Sequence, residues 1–177
     1  MHIRLAQVPD AAGIARVHVD TWRTTYAGLM PDELLANLSY ERRENQWRSV
    51  LSNPDSPQWI YVAENDDGQV VGFVAGGPER SGDPLYKGEL YAIYVLAEHQ
   101  GRGIGRALTG ANAQRLIEAG MTSMLVWVLA ENPWRAFYEA LGGKPVREKQ
   151  ETMGDVTLTE VGYGWADIRG LAGIETT

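Results

Sequence analysis

The run His99–Leu108, HQGRGIGRAL, is where this sequence gathers residues that could hold a ligand. Gly101, Gly103 and Gly105 alternate with Arg102 and Ile104, and Arg106 follows. Glycine beside a regular element costs conformational entropy, so three in five positions need a reason: a turn with positive φ, or a close approach to the backbone. An apolar strand pattern precedes the run and a helix-forming segment follows it, which makes it a strand–turn–helix junction. The first turn of a helix leaves N–H groups unpaired and carries partial positive charge. Positions without Cβ atoms let oxygens come close, and the two arginines add full charges. The chemistry this suits is anion binding, with a pyrophosphate as the natural guest. The competing structural reading is a sharp turn with solvated arginines. A P-loop is excluded, because the run ends Gly-Arg-Ala rather than Gly-Lys-Ser/Thr. A dinucleotide fingerprint is excluded too, because the sixth residue is Arg106 counted from Gly101 and Leu108 counted from Gly103.

Other reactive side chains are few. The sequence has no cysteine, which rules out disulfides, thiolate metal sites and cysteine nucleophiles and fits a reducing, cytoplasmic setting. His2, His18 and His99 are scattered without metal-ligand spacing, so no metal is expected, and His18 reads as a packed histidine. Glu89 opens an otherwise apolar strand, ELYAIYV, and Glu64 ends another strand. Tyr138 lies in AFYEALG, where a core aromatic on an amphipathic helix is the plain reading. The net charge of −7 argues against nucleic acid as a partner and modestly favours cationic small molecules, although charge of this size also serves solubility. The longest apolar run, MLVWVLA at 124–130, is too short to cross a bilayer. The first residues show no secretory signal pattern.

These residues need elements to position them. HIRLAQ reads as a strand, with Asp10 as N-cap of a helix through about Tyr26. AGLMPDELLANLSYERRENQWRSVL reads as one or two helices, with Pro31 suited to a first turn. QWIYVAEN and QVVGFVAGG are strands joined by the hairpin signal DDGQ. SGDP turns into the strand YKGELYAIYVL, and a helix to about Gly120 follows the glycine run. SMLVWVL is a strand, and NPWRAFYEALGG a short helix ended by glycine. Strands near 145–151 and 155–165 close the domain around a Met-Gly-Asp turn. The expected fold is a mixed α/β sheet, β-α-α-β-β-β-α-β-α-β-β, forming one domain over 1–166 with a loose tail at 167–177.

With the elements placed, LYAIYVLAEHQGRGIGRAL resembles the acetyl-CoA-binding motif of the GCN5-related N-acetyltransferase (GNAT) superfamily, Gln/Arg-x-x-Gly-x-Gly/Ala, and ENPWRAFYEALGGKP resembles its second cofactor segment. The element order agrees to about residue 165. The resemblance implies a splayed central sheet, with Ile93, Tyr94 and Val95 along the pantetheine arm and the Val95 N–H facing the acetyl carbonyl. The amides of Gln100, Gly101, Arg102, Gly103, Ile104, Gly105 and Arg106 would hold the pyrophosphate. A proline common in the family is Ala97 here. Tyr138 is implied as the acid for the leaving thiolate, and Glu89 as the base or as a group binding the substrate ammonium, with Glu64 a weaker rival. Asn132 would either bond the pantetheine arm or serve only as a helix N-cap. VDTWRTTYAGLMPDELLANLS resembles the acceptor-side helices of one bacterial branch. There Trp22 and Tyr26, four apart on one helix face, would wall an amine pocket with Trp127, or would simply be core residues. The implied activity is acetyl transfer from acetyl-CoA to a primary amine of a small molecule, by direct attack. A protein or peptide amine and a catalytically silent acyl-CoA-binding module are the alternatives. No membrane or nucleic-acid partner is expected, and a homodimer is left open.

Overall fold

The computed structural model describes residues 1–153 and 156–173. Gly154 and Asp155, where the closing turn was expected, lie outside the described residues. The chain runs β1 (His2–Leu5), α1 (Ala11–Thr25), α2 (Asp32–Ala36), α3 (Tyr40–Ser52), β2 (Trp59–Glu64), β3 (Val70–Pro78), β4 (Gly88–Val95), α4 (Ile104–Glu118), β5 (Met124–Leu129), α5 (Arg135–Ala140), β6 (Lys144–Met153) and β7 (Val156–Trp165). The seven strands form one mixed sheet in the order β1-β2-β3-β4-β5-β7-β6, with β4 and β5 parallel and every other neighbour antiparallel.

Three helices separate β1 from β2, the larger of the two counts that the sequence allowed. The segment after α1 breaks because Pro31 is extended (φ −53°, ψ 132°) and the Ser39 Oγ accepts from the Arg42 N–H at 3.2 Å, which starts a fresh helix. Asp10 takes the N-cap position of α1 as expected, but its side chain makes no cap hydrogen bond to that helix. It sits in a 3-10 turn, where it accepts from the Gln7 N–H at 2.7 Å and takes both guanidinium nitrogens of Arg4 at 2.7 and 2.8 Å. The β2–β3 hairpin forms as read: Gly68 has φ +75°, and the Asn65 Oδ1 accepts from the N–H groups of Asp67 and Gln69. The residues after β7 are not a loose tail throughout. Ile168 is fully buried, and its N–H donates to the Thr122 carbonyl at 3.0 Å.

Helices cover both faces of the sheet. On one face, Gly72, Gly76 and Gly88 make room for Leu108, Asn112 and Leu116 of α4. A Cβ at Gly76 would stand 2.0 Å from the Asn112 Oδ1, the atom that accepts from the Trp59 indole N–H at 2.9 Å. On the other face α1 and α3 bring an aromatic cluster against β3 and β4. His18 stacks on Tyr94 at 5.2 Å between centroids and meets Trp22, Trp47 and Phe73 at 5.6 to 5.9 Å.

His18 is a packing residue. Its Nδ1 accepts from the Trp47 indole N–H at 3.2 Å. Burial, then the nearby Arg43, pushes its pKa from 6.5 down to about 3. The unfolded chain therefore takes up a proton near pH 6.5 that the folded chain refuses until much lower pH. Stability from this site is complete above about pH 6.5 and falls by about 1.4 kcal/mol for each pH unit below it. His18→Gln, which keeps a polar partner for Trp47, should lose less unfolding free energy than the parent on acidification from neutral pH, as read by urea denaturation. Equal slopes would show that His18 titrates freely in the fold.

Candidate active site

The central parallel pair is incomplete. β4 and β5 are in register only at Gly88–Leu90 against Met124–Val126. Beyond that, β4 stays on β3 and β5 stays on β7, and the two strands part. The register between β3 and β4 slips at Ala75/Gly76, so that Gly76 faces Leu90, Ala75 faces Ala92, and Tyr91 is the extra residue of a bulge. A bulge bends its strand, and this one sits where β4 leaves β5. The Leu96 N–H donates to the Val71 carbonyl at 3.0 Å. Successive strand N–H groups alternate in direction, so the N–H groups of Val95 and Ile93 face the gap and not β3.

The gap opens into a cleft of about 510 Å³, lined by Tyr91–Val95 of β4, Val126–Leu129 of β5, the glycine turn, α1 and α5. At the turn, Gly101 and Gly103 have φ of +71° and +80°, a backbone that side chains resist, and a Cβ on either would meet nothing within 4 Å. Gly105 has a different reason: it lies inside α4, and a Cβ there would press on the Phe137 ring at 3.1 Å. The first intrahelical bond of α4 is Ala107 N–H to Gly103 O, which leaves the N–H groups of Ile104, Gly105 and Arg106 pointing outward. Arg102 and Arg106 are exposed, and neither forms an ion pair among the described residues; Arg106 lines the cleft and Arg102 does not. Gln100 departs from the expected role. Its N–H donates to Ala97 O at 3.2 Å and its side-chain amide to Val95 O at 2.9 Å, so it braces the turn against β4.

Tyr138 faces the cleft from α5, stacked on Tyr163 at 5.9 Å. Burial, then the proximity of Tyr94, holds its hydroxyl well above the usual phenol range. Burial likewise raises Tyr94 and Tyr26. Asn132 caps the turn before α5: its Oδ1 accepts from the Trp134 N–H at 2.8 Å, and its Nδ2 leans toward the Tyr26 hydroxyl at 3.4 Å. Trp22, Tyr26 and Trp127 all line the cleft, with Trp22 and Tyr26 edge to face at 5.0 Å. Trp127 is partly exposed, whereas Tyr26 is buried in a cluster with Met30, Leu35 and Leu129.

Glu89 is not brought to the cleft. It is 3% exposed, and its carboxylate is occupied by Arg80, which donates through its backbone N–H at 3.1 Å, Nε at 3.2 Å and Nη2 at 2.6 Å. Glu64 is also elsewhere, paired with Arg4 at the β1–β2 edge. The carboxylate that does line the cleft is Glu160 of β7, which the sequence reading missed. Its signal was the alternation Leu158, Glu160, Gly162 in VTLTEVGYGW, which places it on the face of Trp127 once β7 pairs with β5.

A parted parallel pair, a gap-facing N–H and a bare helix N-terminus thus meet at one cleft. The acetyltransferase (GNAT) domain family matches residues 56–142. An uncharacterised N-acetyltransferase of Bacillus subtilis (strain 168), YuaI, is 43% identical over 169 residues, covering 96% of this chain and 95% of that one. This chain therefore belongs to the GNAT acetyltransferases. Mycothiol acetyltransferase of Kocuria rhizophila is 42% identical over 88 residues, 47% of this chain and 28% of that protein. In fold, the chain resembles the PaiA N-acetyltransferase of Thermoplasma acidophilum in complex with coenzyme A, with a TM-score of 0.70 at 20% identity, over 90% of this chain and 98% of that one.

Glu89→Gln should weaken the fold by about 1.5–3 kcal/mol, the worth of hydrogen bonds to a charged group, in urea unfolding. It should leave the pH dependence of acetyl transfer unchanged. A loss of turnover that deepens as pH falls would make Glu89 a base.

Proposed function

We propose that this chain moves the acetyl group of acetyl-CoA onto the primary amine of a small molecule, by direct attack while both substrates are bound. The observation that carries the reading is the gap between β4 and β5. It leaves backbone groups of Ile93 and Val95 without a strand partner, where the amides and carbonyls of a pantetheine arm can complete the ladder. At one end, the open space over Gly101 and Gly103 and the outward N–H groups of Ile104, Gly105 and Arg106 suit a diphosphate, with Arg106 adding charge. Gln100 braces this cradle and donates nothing to the ligand from its backbone.

Attack by the amine nitrogen forms the C–N bond and drives an electron pair onto the carbonyl oxygen. The Val95 N–H, fixed before reaction, donates to that oxygen. Collapse breaks the C–S bond, Tyr138 gives its proton to the departing sulfur, and the proton that the nitrogen loses passes through water to restore the Tyr138 phenol. A phenol with a raised pKa stays protonated through neutral pH, so its proton is in place when the sulfur departs. With no cysteine in the chain to carry the acyl group, the transfer is read as a single displacement. Trp22, Tyr26 and Trp127 would wall the acceptor end.

Acetyl-CoA should raise the melting temperature, and amines should trigger thiol release from it. Gly103→Val should abolish the thermal shift while the protein stays folded by circular dichroism. An undiminished shift in that variant would remove the diphosphate from the glycine turn, and a shift without amine-dependent thiol release would leave a silent binding module.

Tyr138→Phe should lower kcat by about 10²–10⁴-fold, the range for a lost general acid, with little change in coenzyme affinity. Unchanged kcat would free Tyr138 from that role.

A further inference from the structure

Glu160 is, among the described residues, the one carboxylate that lines the cleft. It projects on the face of α1, in step with Leu158, which packs with Trp22 and Tyr26. The glycine turn opens α4 on the opposite face. The cleft thus passes through the sheet from a basic end to an acidic one.

The acidic end already holds an ammonium ion. Lys149 of β6 lies opposite Glu160 in the β6–β7 ladder, yet its Nζ sits 3.2 Å from the Glu160 Oε2 and 4.4 Å from the centroid of the Trp127 ring. It reaches that ring because the intervening residue is Gly162, where a Cβ would press on Trp127 at 3.3 Å and on Arg147 at 3.1 Å. A carboxylate and an indole face converging on one amine nitrogen is the arrangement that recognises a primary ammonium. The lysine is a loose occupant. It is 42% exposed, exposed ion pairs hold weakly, and Glu151 offers its ammonium a second carboxylate at 3.9 Å. The Thr21 Oγ1, on a residue 6% exposed, lines the same cleft and has no hydrogen-bond partner among the described residues.

An ammonium held this way is stabilised in its charged form and makes a poor nucleophile. The attacking nitrogen must therefore be another one. Resting on the acetyl-transfer reading, we propose that Glu160 and Trp127 bind a second, unreacting cation of the acceptor, and that Lys149 fills this place until the acceptor displaces it. The acceptor class is an amine that carries another positive charge, such as a diamine, rather than a lone alkylamine.

The test compares α,ω-diamines of three to five carbons with n-alkylamines of equal length, by thiol release from acetyl-CoA and by calorimetric binding to the coenzyme A-loaded protein. The parent should favour the best diamine in kcat/KM by about tenfold or more, the factor one charge-assisted contact supplies. Glu160→Gln should erase that preference while keeping the coenzyme-induced thermal shift. Lys149→Met should lower KM for the diamine and leave it unchanged for the alkylamine. Equal use of diamine and alkylamine by the parent, or a preference that survives Glu160→Gln, would overturn the subsite and leave acetyl transfer standing. Diamine binding that depends on Glu160, without thiol release by any amine, would keep the subsite and overturn acetyl transfer.

Discussion

Everything in this molecule that bears on chemistry depends on one interrupted ladder. β4 and β5 pair for three residues and then separate, and backbone N–H and C=O groups at the centre of the sheet lose the partner that a sheet would give them. Buried unpaired backbone groups are costly, so such a gap persists only if each strand is held from its other side and something completes the gap in use. Both strands are held: β4 is paired to β3 along its whole length, and β5 to β7. The Tyr91 bulge supplies the bend. The parallel relation of the two strands requires a crossover, and α4 is that crossover, so its N-terminus arrives at the mouth of the gap by topology.

From there the division of labour follows. The α4 face carries the bare N–H groups and Arg106, and suits an anion. The α1 face carries Glu160, Trp127 and the aromatic cluster, and suits a cation. Tyr94 on one face and Tyr138 on the other both line the cleft, and Tyr94 adds to the rise of the Tyr138 hydroxyl. Packing and site share residues: Tyr94 is at once the stacking partner of His18 and a wall of the cleft.

Local signals in the sequence were read well where local physics decides. The hairpin at Gly68, the glycine turn before α4 and the alternating strands all formed, because turn chemistry and burial patterns act within a few residues. What failed turned on particular hydrogen-bond partners that no periodic pattern announces. Glu89 looked reactive as a lone charge opening an apolar strand, but its partner, Arg80, lies in an irregular loop with no pattern to announce it. Asp10 had the right position for a cap and was claimed by Arg4. Gln100 was read as part of a phosphate cradle, and its hydrogen bonds go to the backbone that shapes the cradle. Glu160 passed as one polar residue in an alternating strand. Its place became visible only when the register set it beside Leu129 and opposite Lys149.

The most direct measurement is a crystal structure of this chain grown with acetyl-CoA. The account requires the pantetheine arm to lie between β4 and β5 with the Val95 N–H on the acetyl oxygen, and the diphosphate to rest on the amides that begin α4. Density for the coenzyme elsewhere, or strands β4 and β5 zipped together along their full length, would contradict it.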